Sequence, residues 1–175
     1  MPSLTWSTDM SVGAEALDAD HRALLDLVRR LDESVRAREP FEIVASLLTV
    51  ATELTEAHIR REEEVLRRLG MEVDIEHAHA HQAFLTWSRR LRDDFIRTRD
   101  AGRVRSVMPV IRDWWHFHVC DQDMVDRPLY LANADRIEAI LADSSLAEPI
   151  LDSGPLHWPD APAPVVGLRV AAGPS

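Results

Sequence analysis

Residues 54–69 read Leu54-Thr55-Glu56-Ala57-His58-Ile59-Arg60-Arg61-Glu62-Glu63-Glu64-Val65-Leu66-Arg67-Arg68-Leu69. An apolar stripe runs up to this stretch through Val44, Leu47, Ala51 and Leu54, and resumes at Val65 and Leu69. That recurrence is one face of a helix. In the gap the same face carries His58 and Glu62, one turn apart and pointing the same way. The helix is expected from Phe41 to Leu69, with Pro40 suited to its first turn and Gly70 to its end. Glu63 and Glu64 are expected on its solvated side.

Three more segments repeat the pattern. The first helix is expected over residues 15–37, where His21 stands on the stripe of Leu24, Leu25, Val28, Leu31 and Val35. The third is expected over residues 73–100, closed by Gly102. Its His77 and His81 precede Phe84, Leu85, Leu91 and Phe95. The fourth is expected over residues 104–125, through Val107, Ile111 and Trp114. His118 follows on its face, and Asp123 comes five residues later. Ser106 as a cap would put Pro109 in the first turn, where proline costs little; an earlier start would make Pro109 a kink.

No segment alternates with period two, so the fold class is all-α. Short links between long helices predict an up-down-up-down four-helix bundle over residues 15–127, after a short N-terminal arm, 1–14. Residues 128–175 form an extension. A short helix is expected over 133–142, followed by a Pro-rich tail from Ser144 onward.

The chain has 175 residues, a net charge of −10, 20 basic residues that are all arginine, and one cysteine, Cys120. The acidic balance argues against nonspecific nucleic-acid binding. No apolar run approaches the roughly 20 residues of a membrane span. The first residues do not read as a secretory signal, and a single cysteine gives no internal disulfide, so a cytoplasmic, monomeric protein is the default expectation.

His21, His58, Glu62, His77, His81, His118 and Asp123 thus fall on inward faces of four helices. Each buried polar group without a partner costs on the order of 1–3 kcal/mol. Seven such costs would consume much of a domain's stability of about 5–15 kcal/mol. A metal cluster would bind them together. Seven ligands are too many for one tetrahedral zinc and suit two six-coordinate ions sharing carboxylates. A nitrogen-rich set without thiolate favours iron, with manganese or zinc as alternatives. Alone, His21 would read as a core histidine. His79 lies off the stripe, His116 sits between bulky aromatics with a role behind a ligand conceivable, and His157 falls in the tail; none of the three is placed among the ligands.

Ordered as H…HxxxE…HxxxH…HxxxxD, these residues resemble the hemerythrins, above all the bacterial single-domain form. The resemblance runs from Trp6 to Val125 and includes Val12-Gly13, Asp18-Ala19-Asp20-His21, His58 to Glu63, His77 to His81, and Trp114 to Asp123. It implies two iron ions with an oxo or hydroxo bridge and dioxygen as ligand. His77, His81 and His118 would hold one iron, His21 and His58 the other, which keeps an open position, and Glu62 and Asp123 would bridge both. Trp114, Trp115 and Val119 are candidates for the apolar wall of the oxygen pocket. Trp115 departs from the aliphatic residue more common there, and Pro128 arrives early.

The resemblance implies reversible dioxygen binding for storage, delivery or buffering. The alternatives are a di-iron enzyme (oxidase, peroxidase or nitric-oxide-handling) and a sensor acting through a separate partner. Five histidines to two carboxylates favour binding over oxygen activation. Val165 to Val170 is somewhat similar to the peptides that dock cargo into encapsulin shells, while its composition better suits a plain disordered or surface-packed tail.

Overall fold

A computed structural model describes residues 4–143 and Leu146. The described residues are all-helical, with six α-helices and no strand. The Pro-rich tail and the Val165–Val170 stretch lie outside them.

Helix α1 spans Glu15–Ala37 and ends at Arg38 in a left-handed conformation, φ 55°. Its entry is locked by Asp18, which is 4 % exposed. One carboxylate oxygen accepts from the Ser11 hydroxyl (2.5 Å) and the other from the Val12 N–H (2.9 Å). Helix α2 spans Phe41–Leu69; Pro40 stands just before it, and Gly70 closes it at φ 80°. A left-handed φ suits glycine, which has no Cβ to clash.

Helix α3 is shorter than its sequence pattern implies, Ile75–Thr98. Asp74 caps it by accepting from the N–H groups of Glu76 and His77. Arg99, at φ 57°, closes it in place of Gly102. Helix α4 follows after Asp100 and runs Ala101–Phe117. The cap is therefore Asp100, which accepts from the Arg103 N–H, and Ser106 instead donates to the Arg103 carbonyl. Gly102 falls in the first turn, and Pro109 lies inside the helix rather than at its start.

After Phe117 the chain widens into one π-helical turn, His118–Gln122, closed by a hydrogen bond from the Asp123 N–H to the His118 carbonyl. A short 3-10 turn, Asp123–Val125, follows. The extension forms two helices where one was expected. α5 spans Arg127–Ala132 with Pro128 in its first turn, and α6 spans Ala134–Leu141. Proline costs nothing at a helix start, so Pro128 opens a helix instead of preventing one.

Helices α1 and α2 pack together, α2 against α3, α3 against α4, and α4 back against α1; α6 lies on α2 and α1. Two apolar clusters result. One holds Leu24, Val28, Leu31, Leu47, Phe84, Met108, Trp114 and Trp115. The other holds Val12, Leu17, Val65, Leu66, Tyr130 and Ile137. Each fully buried aliphatic or aromatic side chain contributes about 1.5–3 kcal/mol. On α1 the clusters leave His21 between Leu17 and Leu24; on α2 they leave His58 and Glu62 between Leu48 and Val65.

Candidate metal centre

All seven polar residues read from the stripes are buried, His77 being the most exposed at 7 %. They converge from four segments into two overlapping groups. Glu62, His77, His81, His118 and Asp123 form one; His21, His58, His118 and Asp123 form the other. Within each group one donor atom per residue lies within 4.8 Å of every other.

The π-helical turn explains the spacing of the fourth helix's pair. In regular α-helix, five residues carry a side chain past the face it started on. An i→i+5 turn returns Asp123 to the side of His118. His118 Nδ1 consequently stands 3.2 Å from Asp123 Oδ1.

Each carboxylate reaches imidazoles of both groups. Asp123 Oδ2 is 2.9 Å from His21 Nε2, and its Oδ1 is 3.4 Å from His77 Nε2. Glu62 Oε2 is 3.8 Å from His58 Nε2 and 3.4 Å from His81 Nε2. Like atoms also face one another. His58 Nε2 lies 3.3 Å from His21 Nε2 and 3.1 Å from His118 Nε2.

This density of lone pairs is unsatisfied by the protein. Both oxygens of Glu62 and of Asp123, with His77 Nε2 and His81 Nε2, are buried without a hydrogen bond among the described residues. Orphaned acceptors converging on one space are what a cation would satisfy, so the donor set fits metal. Burial drives three of the histidines toward the neutral form that metal requires. It takes His58 down to about 4 against the opposing pull of Asp20, and His118 well below its usual range. Burial also lowers His81, with Glu63 opposing. Burial and then the neighbouring Asp123 push Glu62 well above the usual carboxylate range.

Behind the cluster stand carboxylates that the stripes did not single out. Glu63 is no solvated bystander: its Oε1 lies 3.2 Å from His81 Nδ1. Asp20 Oδ2 is 3.5 Å from His58 Nδ1 and is itself gripped by Arg61. Such pairs leave the opposite ring nitrogen free for a metal. Both residues are adjacent in sequence to a candidate ligand, the one signal that could have found them. Glu64 pairs outward with Arg67 and Arg68.

Aromatic rings wall the site. Trp114 stacks on His118, with centroids 4.8 Å apart and planes 18° apart, and Phe84 stacks on Trp114 at 3.6 Å. Trp115 meets His118 edge-on at 5.3 Å and lies 5.9 Å from His58. Trp115 and Val119 are buried in the same apolar cluster. Beside Trp115 lies a cavity of about 30 Å³ lined by Val28, Leu48, Thr52, Thr55 and Phe84 among others. The Thr52 and Thr55 hydroxyls donate to carbonyls of their own helix, so the cavity is dry in character. His79 is exposed, and His116 lies 3.9 Å from Cys120 Sγ, outside both groups.

Residues 12–130 match the hemerythrin HHE cation binding domain. The chain is similar to a protein named bacteriohemerythrin from Pseudomonas aeruginosa (strain UCBPP-PA14), at 20 % identity over 123 residues, covering 70 % of this chain and 78 % of that one. It is also similar to a bacteriohemerythrin from Stenotrophomonas maltophilia (strain R551-3), at 21 % identity over 142 residues, covering 81 % of this chain and 86 % of that one. No solved structure matches.

Proposed function

We propose, from the premise that the chain belongs to the hemerythrin HHE cation-binding family, that it binds dioxygen reversibly at a non-haem di-iron centre. The observation that carries this reading is the pair of overlapping donor groups sharing His118 and Asp123. In this reading His77, His81 and His118 would hold one iron, His21 and His58 the other, and Glu62 and Asp123 would be shared between them. Two histidines against three would leave the second ion the one able to take a ligand. When bound, the metal pair would supply the electrons that dioxygen takes up and returns.

The chain's own residues do the rest. Asp20 and Glu63 hold Nδ1 of His58 and His81 and so fix which nitrogen points inward. Glu62, whose carboxyl burial and then Asp123 push up, would have to be ionised to hold metal. Trp114, Trp115 and Val119 keep water from the site, and a dry pocket protects a bound oxygen species from being protonated and lost. The bundle positions these groups through an up-down-up-down course of the four long helices. Links of only two to five residues, 38–40, 70–74 and 99–100, support that course.

Anaerobic reduction, aeration and renewed deoxygenation of the iron-loaded chain test the function. A charge-transfer band that appears with air and vanishes without it is expected, with two ions per chain. Prompt irreversible oxidation with peroxide turnover would replace the carrier by an enzyme. Survival of an unaltered band in His77→Ala would refute the ligand assignment.

A further inference from the structure

The described part of the C-terminal extension reaches the metal centre at two points, both on α2. At the first, the Leu146 carbonyl accepts from Arg61 Nη1 at 3.3 Å. The same guanidinium grips Asp20 through two hydrogen bonds of 2.6 and 2.7 Å. Asp20 in turn faces His58 Nδ1 at 3.5 Å, the ring nitrogen turned away from the cluster. Asp20 and Arg61 keep only 14 % and 12 % of their side-chain surface, so solvent screens this pair far less than a surface one.

At the second point, Tyr130 of α5 is fully buried and packs with Val65 and Leu66, one turn beyond Glu62 on α2. Its hydroxyl has no hydrogen-bond partner among the described residues, and neither has either oxygen of Glu62. The phenol is a donor and the carboxylate an acceptor. Packing alone would be served better by phenylalanine at 130, which buries the same ring and strands no hydroxyl. The same holds for Arg61, since an apolar side chain would cover the Ala57 surface without burying a charge.

We infer that Tyr130, Arg61 and Asp20 are positioning residues through which α5, α6 and Leu146 set the two inward groups of α2. The buried, unpartnered Tyr130 hydroxyl is the donor that would engage one Glu62 oxygen and leave the other for metal. Arg61, seated by Leu146, holds Asp20 so that His58 presents Nε2 to the centre. The inference rests on the metal-centre reading above. It adds that the extension is part of the centre's construction.

The test uses the full chain loaded with cobalt(II) as well as iron. Tyr130→Phe and Arg61→Met are compared with wild type by chelator competition, by the visible ligand-field bands of cobalt, and by Tm of the metal-free protein. Ile140→Ala serves as a control, because it loosens the same packing without touching a polar group. Each of the two positioning variants is expected to lose about 10- to 100-fold in metal affinity and to shift the cobalt bands. The control is expected to lower Tm and leave affinity and bands unchanged. Arg61→Lys restores charge without the fork and should recover affinity only in part. If Arg61→Met fails to fold, Tyr130→Phe, which removes a single oxygen, decides. Two ions bound by wild type and by both variants, with equal affinity and identical bands, would overturn the inference. Fewer than two ions in wild type would instead overturn the metal-centre reading itself.

Discussion

His58 Nε2 and His118 Nε2 lie 3.1 Å apart at the centre of the bundle, from positions 60 residues apart in the chain. Both rings are fully buried, and burial lowers the pKa of both. With one proton available between them, one nitrogen could donate to the other; in the assignment above each lone pair would instead serve its own ion. In the assignment above His118 is one of three histidines on its ion and His21 one of two on the other, so their alanine variants should differ. His21→Ala is expected to hold close to one ion per chain, and His118→Ala more than that, by elemental analysis after gel filtration. Equal metal content in the two variants would contradict the unequal division of the histidines.

Metal removal should cost stability. Anything that binds only the folded state stabilises by about 2.7 kcal/mol at a free concentration 100 times its Kd. Chelation should therefore lower Tm by several degrees, and re-addition of iron(II) should restore it. An unchanged Tm across chelation would mean that the cluster holds no ion under those conditions.

The metal-free protein should also show an inverted effect at Glu62. Its folded pKa is raised above the ordinary value of 4.5 by burial and then by Asp123. A raised carboxyl stabilises the fold below 4.5 and loses that stabilisation as pH rises through the folded pKa. Glu62→Gln has no such loss. Without metal, the variant should match wild type near pH 4.5 and exceed it at pH 8, by on the order of 1–3 kcal/mol for a buried group left unpaired. With iron(II) the order should reverse, since the amide cannot bridge as a carboxylate does. Denaturant titrations at the two pH values decide it; a wild type that stays the more stable form at pH 8 without metal would rule this out.

Much of this centre is legible in the sequence because helical period and ligand position coincide. His21, His58, Glu62, His77 and His81 interrupt apolar stripes in register, so the same phase that predicts burial predicts convergence. The ends of α1 and α2 are equally plain, since Pro40 and Gly70 punctuate them. The rest depends on local choices between near-equal alternatives. Arg99 adopts a left-handed conformation at φ 57° where Gly102 offers the cheaper stop, and the early start of α4 that follows puts Pro109 inside the helix. The i, i+5 spacing of His118 and Asp123 reads as a loose fit until the π-helical turn accounts for it. Tyr130 carries no signal at all, because its burial against Val65 and Leu66 comes from tertiary packing of an extension that periodicity alone leaves unplaced.

Trp115 should control how long the oxygen-bound form survives. It is 1 % exposed, meets Trp114 edge-on at 5.0 Å, lines the apolar cavity and meets the rings of both His58 and His118. Trp115→Leu keeps the site apolar but opens space beside it. Truncating a buried large aromatic costs about 3–5 kcal/mol to alanine, so leucine should cost somewhat less. The colour of the oxygenated protein should bleach several-fold faster, because water gains access to the metal pair. A lifetime equal to that of wild type, in a variant that has lost the expected stability, would show that this ring packs the core without shielding the site.

The last prediction joins the two ends of the fold. Gly13 sits at φ 86°, and a Cβ there would run into the side chain of Leu131 on α5. Two separate penalties follow for Gly13→Ala. A left-handed conformation costs an L-residue about 1–2 kcal/mol whatever surrounds it. The contact with Leu131 adds a steric share, which the half-exposed leucine (54 %) can relieve by swinging toward solvent. Gly13→Ala should thus lose about 1–3 kcal/mol in chemical denaturation. Adding Leu131→Ala should return only the steric share and leave the backbone share in place. Full recovery in the double variant would mean that Gly13 is required for space beside α5 alone. No recovery would mean that the turn before Asp18 is what demands glycine, and that α5 closes over it without constraint.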